Sequence, residues 1–166
     1  MKKSIILLTF SIFFGNSCHS QKNYLSDKEE LKINGINFND IRDAKGNESY
    51  MKKLFGEDLN LKKSNEPTPR VSFWNDSFYC SFEGDESFNL VYLRIKKESD
   101  FLIKDKIIRL GDSINKLGEV KVFNNQPNNL IGLILFIPLE GNCDCSFSIQ
   151  YNNQSKLIEK IEYNSW

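Results

Sequence analysis

Residues 71–82 read VSFWNDSFYCSF, and their apolar residues alternate with polar ones on both sides of Asn75-Asp76. Because successive side chains of a strand point to opposite faces of a sheet, this alternation predicts two strands that are each buried on one face. Asn75-Asp76 is a turn signal, although a weaker one than Asn-Gly. The stretch therefore predicts an antiparallel β-hairpin near the middle of the chain.

Further strands are predicted on both sides of this hairpin. Residues 88–95 (FNLVYLRI) predict a third strand, and shorter strands are expected at 31–38, 101–103 and 107–111. The stretches between them are rich in turn residues. The sequence therefore predicts a sheet of several antiparallel strands.

The apolar run at 130–139 (LIGLILFIPL) predicts a buried central strand, in which Gly132 marks a bulge. Alternation of apolar and polar residues predicts another strand over 145–151. A last strand is expected over 157–163.

A short amphipathic helix is predicted over 48–55, capped by Asn47 and ended by Gly56. A second short helix is expected after a cap at Asp112 or Ser113. The apolar face of the first helix consists of Tyr50, Met51, Leu54 and Phe55.

The stretches 39–46 and 57–69 are expected to be turns and loops, because they are polar and the second contains Pro67 and Pro69. Strands together with short helices predict the α+β class, with short helices packed on one face of an antiparallel β-sheet.

The two halves of the domain, 31–103 and 104–166, follow the same order of strand, helix and strands. Cys80-Ser81-Phe82 in the first half matches Cys145-Ser146-Phe147 in the second. These likenesses favour two tandem repeats, in which Cys80 and Cys145 would occupy equivalent positions. The alternative is a single α+β domain without a repeat.

The start of the chain has the pattern of a secretory signal peptide over residues 1–17: Lys2 and Lys3, then an apolar run at 5–14, then small residues. That run is about ten residues long, whereas a membrane-spanning helix needs roughly 20. A retained transmembrane helix is therefore not expected.

Gly15-Asn16-Ser17-Cys18 resembles the lipobox of bacterial lipoproteins. The resemblance implies a lipid on Cys18, a flexible tether over 18–30 and a domain over 31–166 anchored to a membrane of the cell envelope. The periplasmic side and the outer-membrane face are both open. Cleavage after Ser17 by an ordinary signal peptidase is the alternative, and would leave a soluble secreted protein.

Three cysteines follow the signal: Cys80, Cys143 and Cys145. In an oxidising envelope we expect a disulfide from Cys80 to Cys143 or Cys145, with unpaired buried thiols as the alternative. The sole histidine, His19, lies in the tether. Neither a metal site nor a cofactor is therefore expected.

Composition excludes several classes of function. Without Lys2 and Lys3 the chain carries 20 basic and 22 acidic residues and no basic block, so nucleic acid is not an expected partner. The chain has no phosphate-binding glycine loop, and its histidine lies outside the domain, where it cannot serve as a catalytic base. Carboxylates at Glu83, Asp85 and Glu86 are interpreted as solvated turn charges. No enzymatic activity is expected.

The stretch IRLGDSINKLG at 108–118, together with Leu54-Phe55-Gly56-Glu57-Asp58, resembles small envelope proteins of the β-lactamase-inhibitor-like and SmpA/OmlA-like class. The resemblance implies short helices against an antiparallel sheet. It also implies a binding role, in envelope assembly or in inhibition of a partner protein, and it implies no catalytic residues.

These observations predict a lipid-anchored envelope protein that binds another protein, as an assembly factor, an inhibitor or an immunity protein. Trp74, Tyr79 and Tyr92 are the candidate contact residues. One alternative is a carrier of a small ligand or lipid, with an apolar cavity between helix and sheet. Another is a hydrolase that uses two converging carboxylates.

Overall fold

The computed structural model describes residues 23–25, 30–65, 67–123, 130–138 and 145–165. Strands account for 49% of the described residues, and two α-helices accompany them, so the fold is of the α+β or mostly-β class with mostly antiparallel sheet. The predicted signal peptide, Cys18 and Cys143 lie outside the described residues. Within the described part, no helix is long and apolar enough to cross a membrane.

The elements are short. The helices are α1 (Phe38–Asp43), α2 (Glu48–Phe55) and a 3-10 helix (Ile114–Leu117). The strands are β1 (Asn23–Leu25), β2 (Lys32–Ile33), β3 (Ile36–Asn37), β4 (Asn60–Ser64), β5 (Arg70–Trp74), β6 (Phe78–Glu83), β7 (Asn89–Ile95), β8 (Phe101–Ile103), β9 (Lys106–Ile108), β10 (Ile131–Pro138), β11 (Cys145–Asn152) and β12 (Ile158–Ser165).

Eight strands form one sheet in the order β1-β10-β11-β12-β7-β6-β5-β4. Two antiparallel meanders, β10-β11-β12 and β5-β6-β7, meet where β12 pairs with β7. Only β1 runs parallel to its neighbour, β10, among the described strand pairs. A smaller antiparallel sheet has the order β3-β2-β8-β9.

The register of the large sheet gives it two unlike faces. The core face carries a row of buried residues that crosses six strands: Phe136, Phe147, Tyr163, Leu93, Cys80 and Phe73. The neighbouring row points the other way, because side chains alternate along a strand. We call that side the outward face. Its row consists of Leu135, Ser148, Glu162, Arg94, Tyr79 and Trp74.

Aromatic rings on the core face join the separate elements. Phe38 of α1 lies with its ring centre 4.7 Å from that of Phe147 and 4.9 Å from that of Tyr163. Phe101 of the small sheet lies 5.5 Å from Phe147. Edge-on and tilted ring pairs at these distances add to the stability that burial provides.

The predicted helix over 48–55 is confirmed as α2. The Asn47 side chain accepts a hydrogen bond from the Tyr50 backbone N–H at 2.9 Å, and Gly56 ends the helix. The Phe55 ring lies 4.1 Å from the ring of Phe78 on β6. The second predicted helix is a 3-10 helix capped by Ser113.

Two elements occur where turns and loops were predicted. Helix α1 lies partly within 39–46, and β4 lies within 57–69. The first was missed because its six residues are fewer than two full turns, too few to show a helical period. The second was missed because Asn60–Ser64 is a polar edge strand, which does not need an apolar face.

Strand β10 is not the central strand that its apolar run predicts, because it lies next to the edge strand β1. Gly132 marks no bulge there, since the pairing with β11 is continuous around it. The bulges lie elsewhere: Val91 is skipped between β6 and β7, and Glu159 is skipped between β11 and β12.

The tether predicted for 18–30 is too long. Asn23–Leu25 forms β1 and pairs with β10, and both Asn23 and Leu25 are buried. The Asn23 amide group donates to the carbonyl oxygens of Lys121 and Leu135 at 2.7 and 3.0 Å, and its oxygen accepts from the Lys121 N–H at 2.8 Å. A buried asparagine satisfied in this way fixes the strand in one place.

The predicted disulfide of Cys80 does not form. Cys80 is a free, buried thiol on the core face of β6, whereas Cys145 is disulfide-bonded, to a cysteine other than Cys80. Three strand spacings separate β6 from β11, which is about 14 Å. A disulfide requires Cα atoms within about 7 Å, so Cys80 cannot reach Cys145.

Candidate functional site

A charged cluster lies at the middle of the outward face, where the two meanders join. The Glu162 side chain is 8% exposed, and its carboxylate is 2.8 Å from Nζ of Lys160 and 3.9 Å from Nε of Arg94. The Tyr92 hydroxyl donates a hydrogen bond to the same carboxylate. We call these four residues the Glu162 cluster.

Strand register explains why these residues meet. Glu162 is paired directly with Arg94 across β12 and β7. Lys160 and Tyr92 lie two residues before them on their own strands, so all four side chains point to the outward face. The cluster therefore depends on contacts between the two halves of the chain.

Burial of a carboxylate is unfavourable unless opposite charges and hydrogen bonds compensate for the lost water. Glu162 has two cations and one hydroxyl for this purpose. Partial burial, and then the hydrogen bond to Glu162, raise the pKa of Tyr92 to about 12. The hydroxyl therefore stays protonated and keeps donating at neutral pH.

The three predicted contact aromatics lie on this face together. Tyr79 is paired with Arg94 across β6 and β7, and Trp74 is paired with Tyr79 across β5 and β6. The rings of Tyr79 and Tyr92 are 5.9 Å apart and tilted by 57°. All three side chains are half-buried. The structure thus brings Trp74, Tyr79 and Tyr92 into one surface.

A polar network supports the ring of Tyr79. Its hydroxyl donates to Oγ of Ser72 at 3.0 Å, and the Ser72 hydroxyl is 3.3 Å from that of Ser81. Ser72 and Ser81 are buried beneath the larger side chains. The aromatic surface is therefore held in one arrangement by hydrogen bonds as well as by packing.

An open cleft of about 500 Å³ adjoins the cluster. Its cations are Arg94, Lys96 and Lys97, and the Lys96 ammonium also donates to the Asn75 carbonyl oxygen. The complete lining is Tyr79, Tyr92, Arg94, Ile95, Lys96, Lys97 and Leu110. The cleft is basic and aromatic.

A second open cleft, of about 610 Å³, lies beside α1 and α2. Its lining is Asp43, Ala44, Lys45, Asn47, Ser49, Tyr50 and Lys53. Neither cleft is the apolar cavity between helix and sheet that a small-ligand carrier requires.

The carboxylates considered for hydrolysis are Glu83, Asp85 and Glu86, and none of them belongs to the Glu162 cluster. Glu83 is ion-paired with Arg70 across β5 and β6, and Asp85 and Glu86 lie in the exposed turn that follows. In the described ranges no three His, Cys, Asp or Glu side chains come together as metal ligands.

Sequence reasoning missed Arg94, Lys160 and Glu162. A signal was present, because Lys160 and Glu162 alternate with apolar residues in a predicted strand and so belong to its solvent side. The pairing of β7 with β12, which brings Arg94 to Glu162, could not be read from either strand alone.

Comparison with known proteins gives no relatives: no family model matches the chain, and no curated protein or solved structure matches it.

Proposed function

We propose that this chain is a non-enzymatic, lipid-anchored protein of the bacterial cell envelope that binds another protein through its outward sheet face. One observation carries the proposal. Trp74, Tyr79 and Tyr92 share that face, around an arginine that a buried glutamate holds in place.

The residue types favour a protein partner. Tryptophan, tyrosine and arginine are the side chains that most often dominate protein–protein binding energy. Tyr79 and Tyr92 are already held by hydrogen bonds to Ser72 and Glu162, so a partner would meet an ordered surface. Less conformational entropy is then lost on binding.

In the proposed architecture, short helices cover the core face of the large sheet and the outward face is free. Helices α1 and α2 pack on the core face, which the ring contacts of Phe38 with Phe147 and of Phe55 with Phe78 support. An antiparallel sheet covered on one face can present the other to solvent or to a partner.

We also propose that the two meanders are a tandem duplication. The third strand of each has one bulged residue, Val91 in β7 and Glu159 in β12. Arg94 and Glu162 each lie three residues after their bulge, and they face each other, as a two-fold relation between the halves requires.

This alignment does not match the repeated letters that suggested a duplication. Alignment of the two bulges makes Ser81 of β6 equivalent to Gln150 of β11. Cys80 is then equivalent to Ile149. Cys145 lies four residues before Ile149. The two cysteines are thus not equivalent, and the likeness of Cys-Ser-Phe does not carry the proposal.

Cys18 is the proposed site of the lipid, and the membrane is then the second partner. Secretion without an anchor is the alternative outcome. Neither lipid anchoring nor secretion changes which face of the sheet is available for binding.

Site-specific photo-cross-linking tests the binding face. A photoactivatable amino acid replaces Trp74 or Tyr79 in the full chain, expressed with its own signal, and cross-linked proteins are identified by mass spectrometry. The matched control position is Tyr50, which is an exposed aromatic of α2. One protein should be captured from the outward-face positions and not from Tyr50.

The captured protein is then purified, and its affinity for the chain is measured. Tyr92→Ala and Arg94→Ala should each weaken binding by about tenfold or more, as expected for side chains near the centre of an interface. Tyr50→Ala should leave the affinity unchanged. Equal capture from Tyr50, or an affinity that none of these changes affects, would contradict the proposed face.

A further inference from the structure

The outward face of β10 is apolar along its whole length, unlike the outward faces of β11 and β12. Ile131 is 51% exposed, and Leu133, Leu135 and Ile137 are half-buried on the same side. On β11, by contrast, the residues paired with this stripe include Ser148 and Gln150. The core does not need this stripe, because β10 already buries Ile134 and Phe136 on the other side.

Exposed side chains on neighbouring elements extend the stripe. Tyr24 of β1 is paired with Ile137 and is 58% exposed. Leu157 is 42% exposed, and its carbonyl oxygen accepts from the N–H of Asn152, which is paired with Ile131. We call the resulting surface the edge patch. It consists of Tyr24, Ile131, Leu133, Leu135, Ile137 and Leu157.

Strand β1 connects the edge patch with the proposed lipid site. Asn23, the first residue of β1, is fixed by three hydrogen bonds. Cys18 precedes it by five residues, and five residues of extended chain span at most about 17 Å. A lipid on Cys18 would therefore keep Asn23, which begins β1 at one end of the edge patch, within about 17 Å of the membrane surface.

We propose that the edge patch lies in the membrane interface beside the lipid and sets the orientation of the domain on the bilayer. This inference rests on the proposed lipidation of Cys18. Apolar side chains that enter the boundary between headgroups and acyl chains gain free energy that scales with the apolar area they remove from water.

The orientation follows from the twist of the sheet. Four strand spacings separate β10 from β6, about 19 Å in all, and each step turns the sheet by about 20°. With the edge patch against the bilayer, Tyr79 therefore faces roughly 80° away from the direction in which the patch faces, which is nearly parallel to the membrane plane. The protein-binding surface is then turned sideways and remains accessible.

Labelling from within the bilayer tests the inference. The full chain, processed in its own host, is reconstituted into vesicles of phosphatidylethanolamine and phosphatidylglycerol with a lipid-soluble photoactivatable carbene reagent. Labelled peptides are then located by mass spectrometry. Ile107 of the small sheet is the internal control, because it is 53% exposed and does not belong to the patch.

Labelling at Ile131 and Leu157 should exceed labelling at Ile107 by about tenfold, because the lipid-soluble reagent reaches only side chains that lie within the bilayer. The double variant Ile131→Asn/Leu157→Asn should lose this labelling, whereas Ile107→Asn should keep it. Thermal unfolding checks that both variants are folded. Equal labelling at the three positions would overturn the inference. Absence of labelling at Ile131 and Leu157, as would occur if another protein covered the patch, would overturn it too.

Intact mass separates this inference from the proposed anchor. If Cys18 carries no lipid, the anchor is wrong, and the patch is tested by flotation of the unlipidated chain with the same vesicles. The double variant should then bind about tenfold more weakly than Ile107→Asn. No flotation, or equal flotation of the two variants, would overturn the edge patch as a membrane contact.

Discussion

Arg94 and Glu162 are paired directly across β7 and β12, the two strands that join the halves of the eight-stranded sheet. The Arg94 side chain is half exposed, whereas that of Glu162 is almost entirely buried. A binding protein could therefore contact Arg94. Glu162 lies beneath Arg94 and holds it, and is itself not accessible to a binding protein. This arrangement couples the proposed binding surface to the correct assembly of the two meanders.

Glu162→Gln should lower the pKa of Tyr92 from about 12 toward its ordinary value of 10.0. The pKa should stay above that value, because partial burial of the hydroxyl remains and is its largest cause. Ultraviolet titration of the variant and the parent, each against its Tyr92→Phe counterpart, isolates the signal of this tyrosine. An unchanged Tyr92 titration would contradict the hydrogen bond to Glu162.

The same pKa predicts how stability depends on pH. Because the folded pKa of Tyr92 is raised, its contribution is complete below about pH 10 and is lost as the pH rises toward about 12. Denaturant unfolding at several pH values should therefore show a smaller decline over this window in Tyr92→Phe than in the parent. An equal decline in both would show that the tyrosine contributes nothing.

Gly132→Ala should destabilise the fold by about 1–3 kcal/mol. The added Cβ would overlap the ring of Tyr151, which is paired with Gly132 and buried over it. A second change, Tyr151→Leu, should recover part of the loss because it removes the ring, and urea unfolding of the four proteins of this cycle gives the coupling. Strictly additive effects would contradict the overlap.

Asn23→Ala should release β1 from the sheet. It removes two donated bonds and one accepted bond and leaves the Lys121 and Leu135 backbone groups without these partners, which costs about 1–3 kcal/mol. Hydrogen exchange at residues 23–25 should become faster, while Tyr24→Ala, a change at the exposed neighbour, should leave it slow. Unchanged exchange in Asn23→Ala would show that the side chain does not hold the strand.

Cys80 should not react with an alkylating reagent while the chain is folded. Burial removes the thiol from solvent and raises its pKa, so the reactive thiolate is not formed at pH 8. Denaturation without a reductant should make Cys80 reactive, whereas Cys145 should react only after reduction. Peptide mapping distinguishes the two, and native labelling of Cys80 would contradict its buried position.

Elements with a strong local signal could be predicted from the sequence. The hairpin over 71–82 and the helix over 48–55 correspond to β5, β6 and α2, because alternation and capping are properties of neighbouring residues. The 3-10 helix was anticipated as a helix from its Ser113 cap.

Features that depend on distant pairing could not be predicted. The position of β10 near the sheet edge follows from its partner β1, whose three residues were expected to belong to a tether. Its apolar outward face was therefore mistaken for the mark of a central strand. The unpaired state of Cys80 likewise follows from the strand order and not from cysteine spacing.

The candidate site also combines features that the local sequence predicts with features that depend on distant strand pairing. Trp74, Tyr79 and Tyr92 were recognised as residue types that suit a protein interface, and alternation alone could place them on the solvent side of their strands. The charges that hold the surface, Arg94 and Glu162, come from different halves of the chain, so only the tertiary structure identifies them as partners.

The central claim is that Cys18 carries the lipid that anchors the domain to the envelope. Intact mass and membrane fractionation of the full chain test it most directly, with Cys18→Ala as the test variant and Cys80→Ala as a control that keeps the proposed lipid site. The account predicts a chain that begins at residue 18, carries the added mass of a lipid and fractionates with membranes, and Cys18→Ala should lose both properties. An unmodified cleaved chain in the soluble fraction would contradict it.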